Sequence, residues 1–263
     1  MKGTLDFRVA AWATRAKSWA SWTDEEQKRV IEATVKHVNS RDKVIAGTGS
    51  NCTKHAVEMS KFAEKAGADA VLLVNPYYNK PTQEGLYLHY KKIAESVDIP
   101  QILYNVPGRT ACDMLPETVG RLSEIENIVG VKEATGDLSR VQKIRDLCGE
   151  DFAIYSGDDA TTCEFCLLGG NGVITVTGNV APRLMHEMIS AAIDGNREAA
   201  LSIDAKLAGL HKYLFIQANP IPVKWAVHEM GLIKGKGIRL PLTWLTEDCF
   251  DSVRKAMRQA EVI

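Results

Sequence analysis

From residue 42 onward the chain repeats one pattern: a short apolar, β-branched run, a turn, an amphipathic stretch, then another β-branched run. The runs are KVIAGTG (43–49), AVLLVNPYY (70–78), QILYNVP (101–107), NIVGVKEATG (127–136), FAIYSGDD (152–159) and NGVITVTGN (171–179), which predicts six strands. Their starts lie about 20 to 30 residues apart, the length of a strand plus a helix in parallel βα architecture. The gaps read as helices. In HAVEMSKFAEKAG, for example, Ala56, Met59, Phe62 and Ala63 share a face and Gly67 can end the helix. TDEEQKRVIEATVKHVN (23–39) predicts a helix before the first run, and LDFRVAAWA (5–13) is a candidate seventh strand.

Two folds suit a parallel sheet of this kind, an open doubly wound sheet and a closed barrel. Polar or special residues close nearly every run: Gly47, Thr48 and Gly49; Asn75, Tyr77 and Tyr78; Tyr104 and Asn105; Lys132 and Glu133; Ser156 to Asp159; Thr177. A barrel gathers all its strand ends at one face, where active sites sit, whereas an open sheet uses a few ends at a switch point. The pattern therefore favours an α/β barrel. After Gly195 the rhythm turns to helix alone, so the expected organisation is a barrel over 1–195 and a helical region over 196–263 packed on it.

The 32 Lys plus Arg balance 33 Asp plus Glu, a net charge of -1, which removes the electrostatic footprint of a nucleic-acid or membrane-surface binder and points to a small-molecule partner. No run approaches the roughly 18 apolar residues of a membrane span, and MKGTLDFRVA has no apolar signal core, so a cytoplasmic protein is expected. Six scattered cysteines make no disulfide framework. Cys163 and Cys166 form one CxxC with no second ligand pair, which reads as a buried helix face rather than a metal site. GTGSN and GDDA match neither a Walker loop nor a dinucleotide fingerprint, so no cofactor is implied.

The candidate chemistry sits at the strand ends. Lys132, between apolar neighbours in IVGVKEATG, would be buried in the barrel. Burial disfavours the ammonium, and a neutral amine is what a Schiff base with a carbonyl substrate needs. Gly130, two residues earlier, leaves room beside it. A salt-bridged lysine, with Glu133 or Asp158 as partner, fits the spacing equally well. Tyr104 in ILYNVPGRT would point inward with Ile102 and Val106, either as a proton donor or as a core tyrosine. Arg109 follows in the next loop, where a guanidinium can clamp a carboxylate.

ILYNVPGRT, GVKEATGD, YSGDDA, NPYYNKPTQEGLYLHY and NPIPVKW resemble, together and in order, the motifs of the dihydrodipicolinate synthase family, from about residue 23 to the C-terminus. The resemblance implies a class I, Schiff-base aldolase on a (β/α)8 TIM barrel with a C-terminal helical region, usually a homotetramer built as a dimer of dimers, without metal or organic cofactor. It implies that Lys132 forms the imine with pyruvate, that Tyr104 shuttles protons, and that Tyr78 is inserted into the relay of the dimer mate. Arg109 would bind the carboxylate of aspartate semialdehyde, and the backbone carbonyls of Gly157 and Ile174 would line the site. The implied reaction condenses pyruvate with L-aspartate 4-semialdehyde to 4-hydroxy-tetrahydrodipicolinate, in lysine and diaminopimelate biosynthesis. Asn51 and Tyr77 match the family's lysine-feedback site, but His55 stands where sensitive bacterial members carry an acidic residue, which counts against feedback.

The resemblance breaks in one place. Family members carry a strand ending in GTTGE before the helix that here begins TDEEQ, whereas the same slots hold Thr14, Arg15, Ala16, Lys17 and Ser18. Three of the five tryptophans, Trp12, Trp19 and Trp22, crowd this stretch. GTLDF resembles the usual start of the family's second strand. The expectation is thus a barrel lacking its first strand and helix, with residues 8–22 translated out of frame, poor solubility and impaired activity. The rivals are a sister pyruvate aldolase of the N-acetylneuraminate lyase type and a catalytically impaired, non-enzymatic subunit.

Overall fold

A computed structural model describes residues 22–263. The segments predicted as a seventh strand and as out of frame lie almost wholly outside the described residues. Helix α1 (Asp24–Val38) opens on a reciprocal cap, in which the Thr23 hydroxyl accepts from the Glu26 N–H and the Glu26 carboxylate accepts from the Thr23 N–H. Then come β1 (Ile45–Gly47), α2 (Thr53–Ala66), β2 (Ala70–Val74), α3 (Gln83–Ala94), β3 (Gln101–Asn105), the single turn α4 (Pro107–Thr110), α5 (Pro116–Ser123) and β4 (Ile128–Glu133). They are followed by α6 (Ser139–Cys148), β5 (Ala153–Ser156), α7 (Thr162–Leu167), β6 (Gly172–Val173) and α8 (Pro182–Ile193). All six predicted strands form, parallel and in the order β1-β2-β3-β4-β5-β6.

A sequential order without a reversal excludes the doubly wound alternative. The side chains divide accordingly. Ile45, Ala70, Leu72, Ile102, Tyr104, Val106, Tyr155 and Ile174 make an inner cluster, while Ala46, Val71, Leu73, Leu103, Val131 and Ile154 join the larger layer between sheet and helices. Adjacent residues on one strand thus serve different cores.

Two local expectations are corrected. The run at 171–179 is not a strand throughout: β6 stops at Val173 and residues 177–179 form a 3-10 turn. The cause is Asp159, whose Oδ2 accepts from the N–H groups of Val176 and Thr177 at 2.9 Å each and draws the chain away from the ladder. On α2, Ser60 replaces Phe62 in the fully buried stripe, its hydroxyl 2.9 Å from that of Thr48, and Phe62 is only partly covered. Gly67 ends α2 as expected, at φ +88°.

After residue 195 the chain is helical in α9 (Arg197–Tyr213), α10 (Ile221–Glu229) and α11 (Phe250–Gln259), with α9 packed on α8 and α11 on α9. No helix among the described residues is long and apolar enough to cross a membrane.

Opposite the strand ends, Arg145 of α6 ties the barrel floor. Its guanidinium donates to the carbonyls of Gly149, Glu150, Phe152 and Gly169 and to Asn171 Oδ1, at 2.8–3.2 Å. Its side chain is only 11% exposed, so those acceptors have little water to fall back on. Arg145→Met should lower the unfolding free energy by about 2–4 kcal/mol in urea titration. A loss below about 1 kcal/mol would mean that solvent replaces the guanidinium.

Candidate active site

Parallel pairing places Val74 beside Tyr104, Tyr104 beside Lys132 and Lys132 beside Tyr155, one row across β2 to β5. Tyr104 (6% exposed) and Tyr155 belong to the inner cluster, and the Lys132 amine lies 4.2 Å from the centroid of the Tyr104 ring. Lys132 itself is 4% exposed. The structure therefore brings the two strongest sequence candidates together.

Of the two salt-bridge partners considered for Lys132, Glu133 faces the other side of the strand. Its carboxylate accepts from the Thr135 N–H at 2.8 Å and from Asn105 Nδ2 at 3.2 Å, with Arg140 at 3.5 Å. Asp158 Oδ2 accepts from the Thr161 hydroxyl at 2.8 Å. The space predicted at Gly130 is not left for the lysine. A Cβ there would lie 2.6 Å from the Ala153 carbonyl, so this glycine lets β5 approach β4.

Gly157 is the glycine that makes room for the amine. A Cβ on it would lie 2.7 Å from Lys132 Cε and 2.6 Å from Ala134 Cβ, so the lysine stem runs across a bare backbone. Its N–H donates to the Glu133 carbonyl at 2.7 Å, which locks it at the end of β5. Ile174, buried just past β6, donates its N–H to the Ser156 carbonyl at 2.9 Å.

Burial pushes the Tyr104 phenol up to about 12, with the Arg109 charge pulling down and the Asp159 charge pushing up. The phenol thus remains a proton donor through the neutral range. Arg109, exposed on α4, reaches across to the Asn219 carbonyl at 3.4 Å, linking the loop after β3 to the start of α10. Asp159, 2% exposed, closes its run in the sequence but has no chemical role assigned there. The adjacent pair of acids at a strand end was the available signal.

Tyr78 does not join Lys132 and Tyr104 within this chain. It is 90% exposed and has φ +74°, inside a turn closed by the Asn79 N–H donating to the Tyr77 carbonyl at 2.9 Å. A non-glycine residue there carries backbone strain of about 1–3 kcal/mol. Asn51 holds the turn, donating from Nδ2 to the Tyr77 carbonyl at 3.3 Å and accepting at its own carbonyl from Asn79 Nδ2 at 3.0 Å. His55, one turn along α2, has its Nε2 3.0 Å from Asp24 Oδ1. Asn51 and Tyr77 are thus neighbours, while His55 is turned toward α1.

Among the described residues no group of three His, Cys, Asp or Glu could hold a metal ion. Cys163 and Cys166 are buried on α7, and burial pushes their thiols up to about 11 and about 12. They are inert core sulfurs.

A parallel βα sheet that encloses an amine and a phenol at its strand ends has the arrangement that Schiff-base chemistry on a barrel requires. The chain belongs to the dihydrodipicolinate synthetase family, whose sequence profile matches residues 18–260. It is 62% identical over 255 residues to the 4-hydroxy-tetrahydrodipicolinate synthase of Methylococcus capsulatus, covering 97% of this chain and 87% of that one. Identity to the Pseudomonas aeruginosa enzyme of the same name is 60% over the same shares. A crystal structure of the chloride-inhibited dihydrodipicolinate synthase from Acinetobacter baumannii, complexed with pyruvate, superposes with a TM-score of 0.94 at 49% identity. That match covers 98% of this chain and 88% of the other. The fold is therefore a TIM barrel.

Gly157→Ala should leave the barrel folded but displace the Lys132 stem, lowering the rate of borohydride trapping by an α-keto acid about 10²-fold. An unchanged rate would show that the stem does not need this bare backbone.

Proposed function

We propose that this chain condenses pyruvate with L-aspartate 4-semialdehyde to give 4-hydroxy-tetrahydrodipicolinate. The supporting observation is the Lys132 amine held 4.2 Å from the Tyr104 ring, with both residues buried. The relatives' names carry the product and one solved structure carries pyruvate, which disfavours a sister aldolase or an inert subunit. Lys132 Nζ adds to pyruvate C2, and loss of water leaves the imine. Removal of a methyl proton gives the enamine, whose carbon attacks the aldehyde of the second substrate. The amine of that substrate then adds to C2 and expels Lys132, closing the ring. Tyr104 supplies and takes back protons at the carbonyl oxygen and nitrogen.

Arg109 clamps the carboxylate of the second substrate, and the carbonyls of Gly157 and Ile174 line the pocket. Tyr78 acts in the site of a second copy, which fits its projection from a strained, braced turn, and the homotetramer of paired dimers belongs to the same reading. Asn51, Tyr77 and His55 make a poor lysine-feedback site, since a histidine at position 55 replaces the acidic residue that sensitive members carry. Thr14 to Ser18 stand where the family carries GTTGE, and the family match begins at residue 18. An out-of-frame segment there accounts for the contrast with LDF and TDEEQ on either side, and genomic resequencing tests it: a single unshifted frame through the segment refutes it.

Reduction with borohydride in the presence of pyruvate, read by peptide mass spectrometry, should label Lys132 alone. A folded protein with no label on Lys132 would refute the reading. Tyr104→Phe should lower turnover by roughly 10²- to 10⁴-fold. Because burial holds the phenol's proton until about pH 12, parent activity should show no loss from Tyr104 ionisation through pH 10. A phenolate signal that disappears in Tyr104→Phe and titrates near 10 would contradict this.

A further inference from the structure

On the helix-facing side of the same strands, the last residues of β3 and β4 and the residue just after β2 are polar and buried: Asn75, Asn105 and Glu133. Every earlier position on that side is apolar except Gln101 at the start of β3: Val71 and Leu73, then Leu103, then Val131. Asn105 and Glu133 are register partners, and the Asn75 N–H donates to the Tyr104 carbonyl at 2.9 Å, so the three sit at one height.

Their side chains join across the strands. Asn75 Nδ2 donates to Asn105 Oδ1 at 2.8 Å, and Asn105 Nδ2 donates to Glu133 Oε2 at 3.2 Å. Asn105 Nδ2 also donates to Asp113 Oδ1 at 2.8 Å, while its Oδ1 accepts from the Met114 N–H at 3.0 Å, so the amide uses all four of its bonding positions. The ends are closed by the Tyr90 hydroxyl, donating to Asn75 Oδ1 at 2.7 Å, and by Arg140, bound to both oxygens of Asp113 and 3.5 Å from Glu133.

Apolar residues of like volume would pack this layer at equal or lower cost, since buried polar networks are often neutral or unfavourable beside a hydrophobic replacement. Stability therefore does not account for the network, whereas fixed geometry does. Each member adjoins a site element: Asn105 follows Tyr104 and precedes the loop of Arg109, Glu133 follows Lys132, and Asn75 leads into Tyr77 and Tyr78.

We propose that Asn75, Asn105 and Glu133 are positioning residues, a band on the outer face of the barrel that sets the relative heights of Tyr104 and Lys132 and thereby the reactivity of the amine. The inference rests on the Schiff-base reading above. It predicts that Asn105→Leu and Glu133→Leu, which leave buried partners unpaired, lose stability but still fold, and trap pyruvate on Lys132 about 10-fold more slowly or worse. The loss should fall on kcat more than on the KM for pyruvate. Glu133→Gln, which still accepts from Asn105, should recover most of what Glu133→Leu loses. Folded leucine variants that trap within about threefold of the parent would overturn the proposal, as would a Gln variant no better than Leu.

If Asn105→Leu does not fold, the Glu133 pair and Asn75→Leu decide by the same criteria. Competitive acylation of Lys132 by a small anhydride, read by peptide mass spectrometry, reports amine reactivity without a substrate. A parent that traps no pyruvate defeats the Schiff-base reading, and the same variant series scored by acylation then decides the positioning role, with unchanged Lys132 reactivity overturning it.

Discussion

The parallel pairing of β3 with β4 sets Tyr104 beside Lys132, and the rest of the site depends on it. Side chains alternate along a strand, so a slip of one residue would turn the amine into the helix layer and bring Glu133 inward. The pairing has an irregularity between Gln101 and Ile102 at its start, after which it runs evenly through Asn105 and Glu133. Apolar residues fill the inner cluster below the phenol, and a carboxamide and carboxylate band closes the outer side above the apolar layer. The two faces of one register thus do different work. The inner face holds the amine and the phenol, and the outer face holds the polar band.

Close backbone approaches give that register its tolerance at the site. Gly130 admits β5 to β4, and Gly157 lets the Lys132 stem lie against bare backbone. Asp159 bends the chain after β6 by taking two backbone N–H groups, and its charge also bears on the Tyr104 phenol. A short β6 and an acid near the phenol are consequences of a single side chain.

Much of this was legible in the sequence, for physical reasons. Six apolar runs at regular spacing report a parallel sheet because each must be buried on both faces, and Lys132 stands out because a charged residue interrupts such a run. The end of β6 was not legible, since VITVTGN has strand composition throughout and only the tertiary bond from Asp159 breaks it. Gly130 and Gly157 look alike as letters, and only the neighbouring strand shows which one faces the lysine. Tyr78 was singled out by resemblance alone, because within one chain it stands exposed and apart from the amine and the phenol. The polar band was visible as Asn75, Asn105 and Glu133 closing three runs, but that they bond sideways rather than face the cavity follows only from strand register.

The central claim is that Lys132 and Tyr104 act as one unit in the barrel interior. A crystal structure of the protein after borohydride reduction with pyruvate tests it most directly. The account predicts continuous density from Lys132 Nζ to the pyruvate C2, with the Tyr104 hydroxyl within hydrogen-bond reach of the adduct and Gly157 beside the lysine stem. An unmodified Lys132 in an intact barrel, or an adduct with Tyr104 turned away from it, would contradict the account.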